Sequence, residues 1–94
     1  MNTPANPLVS IITPTYNRAE FIEQAVNSVL AQTYTNFELL IVDDGSTDNT
    51  RDLLEPALTD SRVRYSRQEN QGQSVARNRA LSEAKGDFVC FLDS

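Results

Sequence analysis

Histidine is absent from this 94-residue chain, and cysteine occurs once. Without an imidazole there is no Ser-His or Cys-His nucleophile pair, and any metal site has to be built mostly from oxygen ligands. The single thiol, Cys90, excludes an internal disulfide. It falls in a strand-like apolar run, where a buried and inert role is expected. No apolar run approaches the roughly 20 residues that a helix needs to cross a bilayer. Met1 to Pro7 offer neither a positive charge nor an apolar stretch, so residues 1–7 read as a flexible leader and not as a signal peptide. Cations are also scarce: 8 Lys and Arg stand against 13 Asp and Glu, a formal net charge of −5. A nucleic-acid partner is not expected, because neutralising phosphates takes clustered cations. The expected setting is the cytoplasm, or the cytoplasmic face of a membrane.

What is present centres on residues 39–50. Leu39-Leu40-Ile41-Val42 reads as a strand buried on both faces, as in a parallel sheet. Asp43 and Asp44 stand at its carboxyl end, Gly45 lets the chain turn, and Ser46, Thr47 or Asp48 can cap a following helix. Open α/β sheets bind ligands beyond the carboxyl ends of their strands. Taken alone, the stretch is equally an Asp-Gly turn with a capping aspartate.

The rest of the chain alternates in the same way. Leu8 to Thr13 form a first strand, with Pro14 expected to end it. Phe21, Ile22, Ala25, Val26, Val29 and Leu30 then trace one face of a helix running to about Gln32. Asn17 and Glu20 suggest a capping box at its start. A second helix is expected from near Thr47, carrying Leu53, Leu54 and Leu58 inward, with its end disturbed by Pro56. Arg62 to Ser66 read as an edge strand guarded by arginine. A third helix runs from about Ser74, with Val75, Ala76, Ala80, Leu81 and Ala84 apolar, to Gly86. Phe88 to Leu92 form a fourth, buried strand.

The order β-α-β-α-β-α-β implies right-handed crossovers and a three-layer α/β/α, Rossmann-like parallel sheet. Strand order 3-2-1-4 leaves a crevice between strands 1 and 4. Residues 8–94 make one domain, and a wholly apolar last strand suggests the N-terminal part of a longer protein, truncated after strand 4.

Several groups converge on the crevice. Arg77 lies three, four and seven residues before Ala80, Leu81 and Ala84, so it faces the sheet, while Arg79 suits an exposed pair with Glu83. An inward arginine calls for an anion: either Asp43 or Asp44 in a structural bridge, or a bound nucleotide. Tyr16 either packs on the first helix or stacks on a heterocycle. Beside a carboxylate it makes a base-recognition pair, suited to the N–H of uracil or guanine but not to cytosine. The loop Thr13-Pro14-Thr15-Tyr16-Asn17-Arg18 lacks the glycines that a dinucleotide fingerprint or a P-loop requires. A phospho-acceptor receiver needs its acidic residues after other strands.

Four motifs, in order, cover nearly all of the chain from Leu8 onward: Val9 to Asn17, Val42 to Asp48, Gly72 to Asn78 and Gly86 to Ser94. Together they resemble the family 2 glycosyltransferases of GT-A fold. The resemblance implies sugar transfer from a nucleoside diphosphate, with UDP the expected carrier, commonly with inversion and often in polysaccharide biosynthesis. It implies that Pro14, Thr15 and Tyr16 line the base pocket, that Asp44 takes the base N–H with Asp43 beside it, and that Arg77 contacts the nucleotide. Asp93 and Ser94 match the first two positions of an Asp-x-Asp motif, which binds the ribose and a divalent cation, Mg2+ or Mn2+. The motif's last aspartate and the catalytic carboxylate do not occur in these 94 residues. The chain is therefore expected to supply donor recognition and to be inactive alone, with a non-catalytic nucleotide-binding or scaffolding domain as the alternative. Self-association of the fragment is a further expectation.

Overall fold

The computed structural model describes residues 6–92, so Met1 to Ala5 of the expected leader and the site candidates Asp93 and Ser94 lie outside the described residues. Four strands, β1 (Val9–Thr15), β2 (Phe37–Asp43), β3 (Val63–Arg67) and β4 (Phe88–Phe91), form one sheet in the order β3-β2-β1-β4. All three pairings are parallel. The connections carry α1 (Ala19–Ala31), α2 (Thr50–Leu54) followed by a 3-10 turn (Ala57–Thr59), and α3 (Gln73–Glu83).

Side-chain alternation along the strands divides the core in two. On one face Leu39 and Ile41 of β2 pack with Ile22, Val26 and Val29 of α1 and with Leu54 of α2. On the other, Ile12, Leu40 and Val42 pack with Ala76 and Ala80 of α3. Apart from one acid, Glu38, β2 is apolar up to Asp43 and buried at every position, because it has a strand on each side and a helix on each face.

Some boundaries differ from the sequence reading, each for a visible reason. Pro14 does not end β1, whose pairing with β2 continues to Thr15 opposite Asp43. Val9 N–H donates to Asn36 on the β2 side, whereas Ile12 C=O accepts from Leu92 on the β4 side. By that alternation the missing N–H of Pro14 falls on the β4 side, and the β1–β2 ladder loses nothing. The second helix begins at Thr50, not Thr47, since residues 44–49 are spent in a loop. Pro56 then separates α2 from the 3-10 turn.

The α3 helix presents an alanine stripe, so it approaches the sheet closely while Val75 and Leu81 are left exposed. Phe21 is exposed as well, at the rim of an α1 face centred on Ile22, Val26 and Val29. The buried β4 foreseen from its apolar sequence is instead exposed at all four positions, Cys90 included. It is an edge strand here, with no neighbour on its outer side among the described residues.

A polar tie anchors the turn between α3 and β4. Glu38, buried in β2, accepts Ser10 Oγ at 2.5 Å and the N–H of Lys85 at 2.6 Å, and pairs with Arg64. Ser10 Oγ in turn accepts the N–H of Gly86 at 2.8 Å. Burial pushes the Glu38 carboxyl up, but the bonds from Lys85, Ser10 and Arg64 outweigh it and leave the pKa lowered.

Candidate functional site

The carboxyl ends of β1 and β2 release two loops that are bolted together. Asn17 adopts a left-handed backbone (φ 50°), which asparagine tolerates better than most residues. Its N–H donates to Ser46 Oγ at 2.8 Å, and its Oδ1 accepts the N–H of Thr47 at 2.8 Å and of Asp48 at 3.3 Å. Asp48 receives Ala19 N–H at 3.3 Å and Thr50 N–H at 3.1 Å, so one carboxylate serves the starts of both α1 and α2. Bonds from Thr50 lead in lowering its pKa against the cost of burial. Asn17 and Glu20 therefore do not form the expected capping box. Arg18 holds the N-cap position with no side-chain cap bond.

Asp43 and Asp44 have separate tasks. Asp43 is 1% exposed and accepts the N–H of Ser46 at 2.8 Å on one oxygen and the hydroxyl of Tyr65 on the other. Burial foremost, then the Asp43 carboxylate, pushes the Tyr65 hydroxyl up to about 12. Asp44, 5% exposed, draws in the loop before α3. Its Oδ1 accepts Gln68 Nε2 at 2.9 Å and Gln71 N–H at 2.7 Å, and its Oδ2 accepts Gly72 N–H at 2.9 Å. Burial raises its pKa, but these three donors prevail and hold it below the ordinary aspartate value. A carboxylate has about four acceptor sites, so the three bonds leave one on Oδ2 of an ionised group.

That carboxylate lines a cleft of about 370 Å3 with Tyr16, Arg18, Asn70, Gly72 and Gln73. The volume lies in the range of small-molecule sites. Tyr16 is 44% exposed and lines the cleft. Arg18 has its guanidinium over the Phe21 ring at 5.6 Å and borders a second hollow of about 300 Å3. A larger hollow, about 440 Å3, lies against the middle of β2 and β3 and the C-terminal end of α3. Its position sets it apart from the converging loops.

Of the sequence candidates, Tyr16 and Asp44 meet in the cleft. Pro14 and Thr15 are buried beneath it and are not among its lining residues. Thr15 C=O accepts the N–H of Asp44 at 2.9 Å, while its hydroxyl, like that of Thr13, has no hydrogen-bond partner among the described residues. Arg77 is half-buried and lies over the Phe91 ring at 6.0 Å, toward β4. Arg79 reaches the carbonyl of Arg67 at 3.1 Å, in place of the pair foreseen with Glu83. Among the described residues no group of three or more acidic or sulfur ligands is arranged for a metal ion. Asp93, expected in that role, lies outside them. No helix among the described residues is long and apolar enough to cross a membrane.

Sequence reasoning missed Arg18, Gln68, Asn70 and Gln73. Their spacing carries no ligand signature, and only the folded loops bring Gln68 to Asp44 and the other three to the cleft that it lines. Asn17 offers a signal, as an asparagine between a strand and a helix, but that position suits a helix cap equally well.

The family model described as glycosyl transferase family 2 matches residues 10–94. The chain is 51% identical over 89 residues to the Escherichia coli UDP-Glc:alpha-D-GlcNAc-diphosphoundecaprenol beta-1,3-glucosyltransferase WfgD, covering 93% of this chain and 34% of that protein. It is similar in structure to residues 1–349 of S. aureus TarS in complex with UDP, with a TM-score of 0.85, 38% identity and coverage of 92% and 27% of the two chains. The mannosyltransferase PcManGT from Pyrobaculum calidifontis, in complex with GDP-Man and Mn2+, also gives a TM-score of 0.85, at 33% identity, with 94% and 27% covered. The chain spans about a third of the curated relative's length and about a quarter of either solved chain.

Proposed function

The chain belongs to glycosyl transferase family 2, and from that premise we propose that it supplies the donor-nucleotide half of an enzyme that transfers a sugar from a nucleoside diphosphate to an acceptor. The nucleotide in this reading is UDP, the reaction inverts the anomeric centre, and the setting is polysaccharide assembly in the cytoplasm or at the cytoplasmic face of a membrane. The 94 residues alone bind donor and do not turn it over.

One observation carries the reading: an ionised, buried carboxylate keeps a single acceptor site at a cleft that also holds an exposed tyrosine ring. A pyrimidine stacked on Tyr16 directs N3–H to Asp44, a charge-assisted bond sheltered from water. Pro14 and Thr15 shape the floor from β1, and Asp43 fixes the loop without touching the base. Arg77 approaches the donor from α3, and Asp93 and Ser94 complete the ribose side. In the complete enzyme Asp93 would hold a divalent cation, which would supply positive charge for the diphosphate. The complex of PcManGT contains Mn2+, which supports including the ion.

The test is calorimetric titration of the full chain with UDP, GDP and CDP in the presence of Mg2+. Tightest binding of UDP, with CDP at least tenfold weaker for want of the N3 proton, is the expected result. Equal affinity for UDP and CDP overturns the assignment of Asp44 to the base.

A further inference from the structure

We propose that Asn17 is a positioning residue for the donor nucleotide, clasping the Tyr16 loop to the Asp44 loop so that ring and carboxylate meet the base together. The inference rests on the base-site reading above and adds a residue to it. Tyr16 and Asp44 leave the sheet on different strands, and the cleft exists only while their loops keep one spacing. Between them stands Asn17, next in sequence to Tyr16.

Four bonds make the clasp, the longest from Thr47 Oγ1 to the Asn17 side-chain oxygen at 3.4 Å. The Asn17 N–H is held by Ser46 Oγ at 2.8 Å, and the Asn17 side-chain oxygen takes the Thr47 and Asp48 N–H groups at 2.8 and 3.3 Å. Ser46, two residues after Asp44, is itself pinned twice more. Its N–H donates to Asp43 at 2.8 Å, and its carbonyl accepts Arg67 Nη1 at 2.9 Å. The clasp is therefore anchored to β2 and β3 and not to a loose loop. Asn17 also meets an unusual pair of demands, a left-handed backbone (φ 50°) and a side-chain acceptor two atoms beyond Cβ. Glycine satisfies the first and not the second. The Asn17 side chain touches neither Tyr16 nor Asp44 through any of these bonds, so it acts through them.

The experiment is a double-mutant cycle read by calorimetry with UDP, on the full chain and on its Asn17→Gly, Tyr16→Ala and doubly substituted forms. Glycine keeps the backbone conformation, so only the acceptor is lost. Asn17→Gly is expected to weaken UDP binding roughly ten- to a hundredfold, the scale on which a displaced contact costs. In the Tyr16→Ala background it is expected to cost less than about threefold, because no ring is left to position. An equal loss in both backgrounds, or no loss in either, overturns the clasp while leaving the base site standing. Absence of UDP binding by the unsubstituted chain overturns the base-site reading and the clasp with it. Should Asn17→Gly fail to fold by thermal melting, Ser46→Ala, which opens the same clasp from the other side, takes its place in the cycle with the same outcomes.

Discussion

The N–H of Gly72 donates to Oδ2 of Asp44 at 2.9 Å, so the N-cap residue of α3 hangs from the loop that follows β2. With the companion bonds from Gln71 and Gln68, this makes Asp44 a floor post of the cleft, and in the proposed base site it is also the acceptor for the ligand. The two roles separate by experiment. Asp44→Ala deletes a charge-assisted hydrogen bond of about 1.5–3 kcal/mol, and UDP affinity should fall roughly ten- to a hundredfold. Asp43→Ala should change UDP affinity less while lowering stability by about 1–3 kcal/mol, because Ser46 N–H and Tyr65 hydroxyl lose their acceptor. Calorimetry and urea denaturation on each variant read the two quantities. The reverse ranking in affinity would show that the pair is assigned backwards.

Much of this was legible in the chain because its signals are periodic or positional. The β2 run, the α1 stripe and the strand order follow from patterns that allow few topologies. The division of labour between Asp43 and Asp44 was not legible, since neighbouring carboxylates differ only in what reaches them. Tyr65 and Gln68 arrive from 22 and 24 residues away. The exposure of Val75, Leu81 and β4 was hidden for a different reason. Apolarity reports a tendency to be covered, and the covering element has to be present for the tendency to be realised.

Acid should loosen the fold through groups whose pKa is lowered on folding. Glu38, Asp44 and Asp48 lie below their ordinary values of 4.5, 3.8 and 3.8, and Asp60, bonded to Arg62, falls to about 2. For each, the unfolded chain takes up protons first as pH falls, so the stabilisation is full above the unfolded pKa and is lost on descending through the folded one. Urea midpoints should be level from pH 7 to about 5.5 and fall steadily below about pH 4. Glu38→Gln should flatten part of that acid limb. A midpoint that rises on acidification contradicts the assignment.

At the alkaline end the sign reverses. Tyr65 ionises at about 12 in the fold against 10.0 ordinarily, so its contribution is whole below pH 10 and is lost as pH rises through 12. Tyrosinate absorbance should show a late-titrating phenol, and Tyr65→Phe should remove that phase.

Gly86 is where backbone meets backbone. A Cβ there would stand 2.5 Å from Ser10 Oγ and 2.7 Å from Ser10 N, and the second atom cannot swing aside. Gly86→Ala should cost about 1–3 kcal/mol in urea denaturation, as overpacking does. Gly72→Ala tests the contrast. No atom lies within 4 Å of its missing Cβ, so only its backbone conformation (φ 99°) is strained.

The last prediction concerns β4. Phe88, Val89 and Phe91 are 50%, 42% and 48% exposed, and β4 lies at an edge of the sheet. An apolar strand with an open edge is a template for a second strand. The 94-residue chain should therefore self-associate with rising concentration in light scattering. Val89→Lys with Phe91→Lys should return it to a monomer, since lysine on an edge opposes pairing. These two side chains lie on the α3 side of the strand, opposite Ser10 and Ile12 in register, so the double substitution also reports which face makes the contact. A monomer at every concentration removes β4 as an association edge. Association that survives both lysines moves the contact to the Phe88 and Cys90 face.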